Sequence, residues 1–286
     1  MSRNLILRIS VAAVAIPGIL WACYRGGDFL HGLFLAFALV AIGEYLYREG
    51  YTVLSGYFWL STLCVTATYF SADSYGAWHG YPRPLNGLAA ILIFFIVTAL
   101  MFSVRKKPPG ELFIQHTRLV WGVAYIGLLY PFVRLIGQGF FMSRDGNSVG
   151  FYEGGDYLLF LFGLLWVGDT AAMGIGKWLG RLKLAPTVSP NKTVEGFIGG
   201  IVGALTIGVL MYFWRLSHVP LYHLLICALG CSLFGQLGDL VESMWKRSLD
   251  IKDSSNIIPG HGGVLDRFDS LLFAAPFMYV YMKSIH

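Results

Sequence analysis

The hydrophobic positions of this chain are gathered into long runs that are separated by short polar connections. A helix needs roughly 20 mainly apolar residues to cross the hydrocarbon core of a bilayer. Runs of about this length occur at nine places, which are 4–24, 29–47, 56–72, 85–104, 119–137, 157–179, 194–214, 219–245 and 264–283. The pattern therefore predicts an all-α polytopic membrane protein with about nine transmembrane helices.

The composition agrees with a membrane protein. Of the 286 residues, 56% are hydrophobic and 13% are charged, whereas a soluble domain carries about 25% charged residues. The mean hydropathy is +0.62. The first apolar run is too long, and too poor in a cleavage site, for a signal peptide, so we predict that it is a retained helix.

The distribution of positive charge predicts the orientation of the chain. Nine spans would place 15 of the 21 Lys and Arg residues on the side of the N-terminus and 6 on the other side. By the positive-inside rule, the N-terminus lies in the cytoplasm and the C-terminus outside the cell membrane. The same asymmetry accounts for the formal net charge of +5 without a nucleic-acid partner.

The two halves of the chain differ in polarity. In the N-terminal transmembrane region, residues 1–140, Glu44 is the exception, an acid inside an apolar span. Because Arg48 follows at i+4, the sequence predicts an ion pair at the helix end. Residues 157–286 form the predicted catalytic region, and the polar loop 138–156 before it is predicted to be extracytoplasmic and without chemistry.

Charged residues in the second half lie in three clusters, at 168–196, 235–255 and 261–269. Spanning helices separate the clusters, but all three fall on the same predicted side of the membrane. Loops that face one compartment can form one site. The topology therefore predicts a single active site at the cytoplasmic face.

Five carboxylates of these clusters are candidates for one site. Asp239 and Glu242 are three residues apart, as are Asp266 and Asp269, so each pair shares a helical face. Asp169 lies near the inner end of the sixth span. The cations nearby are Lys192, Lys246, Arg247, Lys252 and Arg267. An acid in the first turn of a helix usually complements the helix dipole, but this explanation is weak for five acids together.

These residue types favour a site for a metal ion and phosphate. Oxygen ligands without His or Cys at coordinating spacing suit Mg²⁺ or a similar hard cation, and Lys and Arg suit phosphate oxygens. Gly262 and Gly263 would let backbone N–H groups approach an anion at a helix N-terminus. At a membrane surface, this combination indicates phosphoryl or nucleotidyl transfer with a lipid.

The clusters also resemble a known family. SMWKR (243–247), KD (252–253) and PGHGGVLDRFD (259–269) are similar to the signature of the phosphatidate cytidylyltransferase (CDP-diacylglycerol synthase) family. DTAA (169–172) and SPNKT (189–193) resemble the same family. The resemblance covers about 165–270, whereas 1–140 shares only the general many-helix character.

Three positions depart from the family pattern. Trp245 stands where the signature prefers an aliphatic residue or Phe, and Met173 stands where an aromatic residue is common. Asn191 precedes the family-like Lys192. No charged group is lost at these positions, although Met173 and Asn191 bear on how a nucleotide is held.

The resemblance implies that CTP and phosphatidate react to CDP-diacylglycerol and pyrophosphate in phospholipid biosynthesis. It implies a metal centre at Asp239, Asp266 and Asp269, with Mg²⁺ and K⁺ as the candidate second cation. It assigns the phosphate contacts and catalytic cations to Lys192, Lys246, Arg247 and Arg267. Further nucleotide-binding candidates are Asp169, Ser189, His261, Gly262 and Gly263.

Two alternatives remain at this point. A CTP-dependent polyprenol or phytol kinase would have similar spans but would need a hydroxyl acceptor. An ion or lipid transporter would also carry intramembrane carboxylates, but such sites usually lie near the midplane, often between inverted repeats. The clustering of the acids at one face and the absence of a sequence repeat favour the transferase.

Small residues predict close helix packing in the seventh span. Gly196 and Gly200, and likewise Gly199 and Gly203, are spaced four apart, which lets two helix backbones approach closely. We predict packing within one chain, with a homodimer face as the alternative.

Overall fold

The computed structural model describes residues 3–72, 84–139, 152–260 and 262–285. His261 and much of the polar loop 138–156 lie outside the described residues. Ten α-helices and one two-stranded hairpin make up the regular structure of the described chain. In chain order these are α1 (Arg3–Arg25), α2 (Gly27–Arg48), α3 (Gly56–Ser71), α4 (Pro84–Ser103), α5 (Pro109–Leu129), α6 (Pro131–Gly137), α7 (Tyr152–Leu179), β1 (Lys183–Ala185), β2 (Ser189–Thr193), α8 (Val194–Trp214), α9 (Leu221–Ser248) and α10 (Leu265–Ile285).

Each predicted apolar run lies on a helix, which confirms the all-α class apart from the short hairpin. One run, 119–137, is divided between α5 and α6. Pro131 has no N–H to donate and so interrupts the helical ladder, while the N–H of Tyr130 still donates to the carbonyl of Ile126. The predicted start of this run was wrong, because α5 already begins at Pro109.

Six helices of the described chain are long and apolar enough to cross a membrane. They cover Gly27–Arg48, Asn86–Ser103, Pro109–Gly137, Gly154–Leu179, Val194–Trp214 and Leu221–Ser248. Large apolar side chains such as Leu100, Trp178 and Phe213 face outward, as expected where the surroundings are acyl chains. The protein is therefore an integral membrane protein, while the further crossings by α1, α3 and α10 stay a prediction.

The glycines of α8 pack against α7. A Cβ added to Gly199 would lie 2.6 Å from Cδ1 of Ile175, and one added to Gly203 would lie 2.8 Å from Cβ of Ala171. Only residues without a side chain allow this approach. The prediction of close packing within one chain is confirmed, and the homodimer stays a prediction.

The hairpin connects α7 to α8. Its strands are antiparallel, with Lys183 opposite Thr193 and Ala185 opposite Ser189. The Thr193 hydroxyl accepts from the N–H of Gly196 at 3.1 Å, which caps the N-terminus of α8. The hairpin thus ends where α8 begins, with Lys192 next to this cap.

Candidate active site

The last third of α9 carries polar side chains on one face. The Ser243 hydroxyl donates to Oδ1 of Asp239 at 3.2 Å. The other carboxylate oxygen, Oδ2, lies 2.6 Å from Nζ of Lys192. This ion pair joins the hairpin to α9, so the structure brings the first and second sequence clusters together.

Lys246 joins α9 to α10. Its ammonium group donates to Oδ1 of Asp266 at 2.7 Å and lies 3.3 Å from Oε2 of Glu242. All three residues are buried. A buried charge is costly unless it is paired and hydrogen-bonded, so this triad fixes the two helices relative to each other. It also unites the second and third clusters.

Asp266 holds the loop that precedes α10. Its Oδ2 atom accepts from the N–H of Gly263 at 2.7 Å, the N–H of Ser254 at 2.8 Å and the Ser254 hydroxyl at 2.9 Å. Because Lys246 occupies Oδ1, protein donors engage both oxygens. With four protein donors, Asp266 is therefore placed to anchor the loop.

Asp269 lies one turn further along α10 and is buried. Its Oδ1 atom accepts from the N–H of Ser270 at 2.6 Å, and its carboxylate interacts electrostatically with Asp239 and Glu242. Glu242 pairs with Lys246 through Oε2 and interacts with Asp269, but no hydroxyl or backbone N–H of the described residues donates to it. The facing parts of α9 and α10 thus hold three carboxylates with fewer protein donors than Asp266. Asp239 has Ser243 and Lys192, Glu242 has Lys246, and Asp269 has the N–H of Ser270.

The remaining predicted residues surround this group. Asp169 on α7 interacts electrostatically with both Asp269 and Arg267, and the Arg267 side chain is exposed. The Arg247 guanidinium donates to the carbonyls of Ile251 at 2.9 Å and Val188 at 3.3 Å. Arg247 therefore lies against the hairpin turn, next to Ser189.

The predicted ion pair between Glu44 and Arg48 is wrong. The Glu44 carboxylate is buried and accepts from the N–H groups of Val264 and Leu265, both at 2.9 Å. Arg48 instead donates to the carbonyl of Ser254. Both side chains of α2 reach a loop more than 200 residues away in sequence, and helical spacing alone gave no signal of it.

Both glycines of the loop are needed for its conformation. Gly262 has a positive φ of 86°, a region that favours glycine. A Cβ on Gly263 would lie 2.6 Å from Oε2 of Glu44. The N–H of Gly263 donates to Asp266, so it is not available to an anion. His261, predicted to contact the nucleotide, lies outside the described residues.

The residues present suit a hard cation that also takes phosphate oxygens. Among the described residues, no group of three or more His, Cys, Asp or Glu side chains is arranged to hold a metal alone. Mg²⁺ usually binds through one or two carboxylates together with substrate phosphates. Glu242, whose one paired cation Lys246 is shared with Asp266, and the nearby Asp239 and Asp269 leave negative charge that such a cation would offset.

A cavity of about 670 Å³ adjoins the loop on the side of α2. Glu44, Arg48, Ser254 and Ser255 belong to its wall. The rest of the lining is mainly apolar, being formed by Leu39, Val40, Gly43, Tyr47, Tyr51, Thr52, Val53, Phe58, Asn256 and Ile257. The loop that Asp266 anchors thus separates a polar site from an apolar space.

Comparison with known proteins assigns the chain to a family. The model of the cytidylyltransferase family matches residues 6–285. The chain belongs to this family. It is 34% identical over 279 residues to the phosphatidate cytidylyltransferase of Staphylococcus saprophyticus, which covers 98% of this chain and 99% of that protein.

Two further relatives have the same name. The phosphatidate cytidylyltransferase of Bacillus subtilis is 38% identical over 221 residues, covering 77% of this chain and 74% of that protein. The one of Staphylococcus aureus strain COL is 41% identical over 190 residues, 66% of either chain. The match of the cytidylyltransferase family includes α1 to α6, so the N-terminal helices belong to the family fold as well.

Proposed function

We propose that this chain transfers the cytidylyl group of CTP to phosphatidate, giving CDP-diacylglycerol and pyrophosphate. The observation that carries the proposal is the convergence of α9, α10 and the hairpin on Asp239, Glu242, Lys246, Asp266 and Asp269 in a membrane protein of the cytidylyltransferase family. The names of the relatives support the same activity.

The reaction needs no nucleophilic side chain. A phosphate oxygen of phosphatidate attacks the α-phosphorus of CTP and forms the new phosphorus–oxygen bond. The bond from this phosphorus to the oxygen bridging the α- and β-phosphates breaks, and pyrophosphate leaves with the electron pair. The protein accelerates such a transfer by positioning the two phosphates and by offsetting their charge.

The cations of the site bind the phosphates in this proposal. Lys192 lies beside Asp239 and is close enough to the acids to exchange that partner for a phosphate oxygen. Arg267 is exposed at the start of α10 and is free to meet a head group. Arg247 lies at the hairpin turn, so its contact with phosphate requires release from a carbonyl.

Asp239, Glu242 and Asp269 would hold the metal ion, for which we propose Mg²⁺, with K⁺ as a candidate second cation. The bound cation would neutralise charge on the triphosphate. The sequence assigned Asp266 to this set. Its four protein donors favour a different role, in which Asp266 orients α10 so that Asp269 faces α9.

The lipid would reach the site from the bilayer. The cavity beside α2 is mainly apolar and shares the wall formed by Ser254 and Ser255 with the anchored loop, so it suits an acyl chain of phosphatidate. The charge asymmetry supports a cytoplasmic location for this end of the helices, where a soluble nucleotide is available.

The test is an assay of purified protein with radiolabelled CTP, Mg²⁺ and phosphatidate. We expect labelled CDP-diacylglycerol, and we expect a chelator to abolish its formation. A parallel reaction with a polyprenol separates the kinase alternative, because a kinase would transfer the γ-phosphate and leave CDP. Product formation only with the polyprenol would contradict the proposal.

A further inference from the structure

Glu44 connects the N-terminal half of the chain to the loop before α10. It lies in the last turns of α2 and is 4% exposed. Oε1 accepts from the N–H of Val264 and Oε2 accepts from the N–H of Leu265, each at 2.9 Å. Leu265 is the first residue of α10. A carboxylate from a distant helix therefore caps α10, where unpaired N–H groups and the helix dipole favour negative charge.

The same carboxylate binds the other end of the loop. The Ser255 hydroxyl donates to Oε1 of Glu44 at 2.6 Å, and the Ser254 hydroxyl lies 3.2 Å from Oε2. One turn along α2, Arg48 donates to the carbonyls of Ser254 and Asp253. Two side chains of α2 thus hold residues 253–255, which follow the exposed Lys252.

The surroundings of Gly263 show how closely the Glu44 carboxylate approaches the loop. A Cβ at this position would lie 2.6 Å and 2.7 Å from the two Glu44 oxygens and would also collide with the Ser254 hydroxyl. The hydroxyl of Ser254 meets Glu44 on one side and Asp266 on the other. The two carboxylates therefore hold the loop together, one from each half of the chain.

We propose that Glu44 is a positioning residue for the transfer reaction. It fixes residues 253–255 and the first turn of α10, so that Asp266 can bind Lys246 and Asp269 faces Asp239. This inference rests on the proposed function, because the reaction supplies one of its measurements. The N-terminal helices then contribute to turnover through one buried side chain, without contact to the nucleotide.

The experiment compares Glu44→Gln with Glu49→Gln. Glutamine keeps the size of Glu44 but replaces one acceptor oxygen by an amide NH2 group, a donor that would face N–H or hydroxyl donors. Glu49 ends the same helix and also reaches the second half, since Trp245 donates to its Oε1 at 2.9 Å. It does not bind the loop, so it controls for the loss of an acid that joins the two halves.

For Glu44→Gln we expect kcat to fall by about 10–100-fold, the range typical of partners that orient ligating residues. The KM for CTP should change less than twofold, and the Mg²⁺ concentration for half-maximal activity should rise. Trypsin should cut after Lys252 faster than in the parent protein, since the loop is released. Glu49→Gln should match the parent in all four measurements.

A milder variant keeps the proposal testable if Glu44→Gln does not fold. Ser255→Ala removes one donor to Glu44 and leaves the buried carboxylate in place, so it should lower kcat by a smaller factor and speed the same cleavage. A parent protein that makes no CDP-diacylglycerol refutes the proposed function, whereas the cleavage pattern still tests the contact. An unchanged kcat in Glu44→Gln, or a loss that only follows the amount of folded protein with the loop still protected, overturns the positioning role.

Discussion

The two halves of the molecule bury polar side chains in different ways. In α3 and α4, the hydroxyls of Ser61, Thr68 and Thr98 donate to carbonyls three or four residues earlier in their own helices. In α9 and α10, Glu242, Lys246 and Asp266 are ionisable, and Lys246 pairs with Glu242 on its own helix and with Asp266 on the next one. The first arrangement satisfies each group locally, whereas the second requires two helices to meet.

This difference bears on whether the buried charges of the second half serve folding or chemistry. Buried charged groups of the first half include Glu44, the Glu49 carboxylate and the Arg134 guanidinium, while apolar side chains make up most of the core between its helices. Buried ion pairs seldom stabilise a protein more than apolar residues of similar size. The charges of the second half are therefore better explained by chemistry than by folding, and Glu44 is the acid of the first half that belongs with them.

The largest expected effect is a loss of turnover, and it distinguishes the role of Asp269 from that of Asp266 on α10. We expect Asp269→Asn to lower turnover by about 10²–10³-fold, because charge that offsets the substrate phosphates is lost. Its thermal unfolding temperature in detergent should equal or exceed that of the parent, since repulsion with Asp239 and Glu242 is relieved. Activity and unfolding are measured on the same preparation.

Asp266→Asn is the matched variant one turn earlier. It removes the charge that faces Lys246 and weakens three further hydrogen bonds, so it should lose both activity and roughly 1.5–3 kcal/mol of stability, the value of a hydrogen bond to a charged group. Equal loss of stability in both variants would erase the distinction between a metal-facing and an anchoring acid.

A second prediction tests the close contact between Glu44 of the first half and Gly263 of the second half. Gly263→Ala places a methyl group against Glu44 and Ser254, and we expect a loss of about 1–3 kcal/mol from overpacking, together with reduced turnover. Unfolding in detergent is the measurement. Gly174→Ala, where a Cβ would have no neighbour within 4 Å, is the control and should be neutral or slightly stabilising.

The third prediction concerns the cavity of the first half. In Gly43→Leu a side chain enters the apolar space, since the nearest atom to a Cβ there is Phe58 Cζ at 3.8 Å. The KM for long-chain phosphatidate should rise about tenfold, with the KM for CTP unchanged. Gly32→Leu on the same helix, with nothing within 4 Å of its Cβ, should behave as the parent. A KM that rises equally for short-chain lipid would argue against an acyl chain in the cavity.

The smallest expected effect is a change of labelling with no change of activity. In a background without native cysteines, Asn256→Cys should be protected from an impermeant thiol reagent in intact cells, and Ser217→Cys should react. Both positions are exposed, whereas Ser254 is buried and bonded. Reaction at 256 with protection at 217 would reverse the proposed orientation and place the charged ends outside the cell.

Much of this architecture follows from local properties of the chain. Length and hydropathy predict where helices form in a membrane, because each backbone group must find its partner within the helix. Spacing predicted that Asp239 shares a face with Glu242, and motif resemblance brought together Lys192, Lys246 and the two acids of α10. Four of the five glycines of α8 indicated close packing, since a missing side chain is visible in the sequence.

The sequence by itself determined the all-α membrane class, the family and the set of charged residues at one end of the helices. Only the tertiary structure decided which partner each of those charged side chains binds. Glu44 lies four residues from a cation and yet binds backbone 220 residues away, and Asp266 accepts from four protein donors. Helical spacing states which side chains are neighbours on one helix, but a buried carboxylate takes the donors with the best geometry, and these lie on elements that meet only in the folded chain.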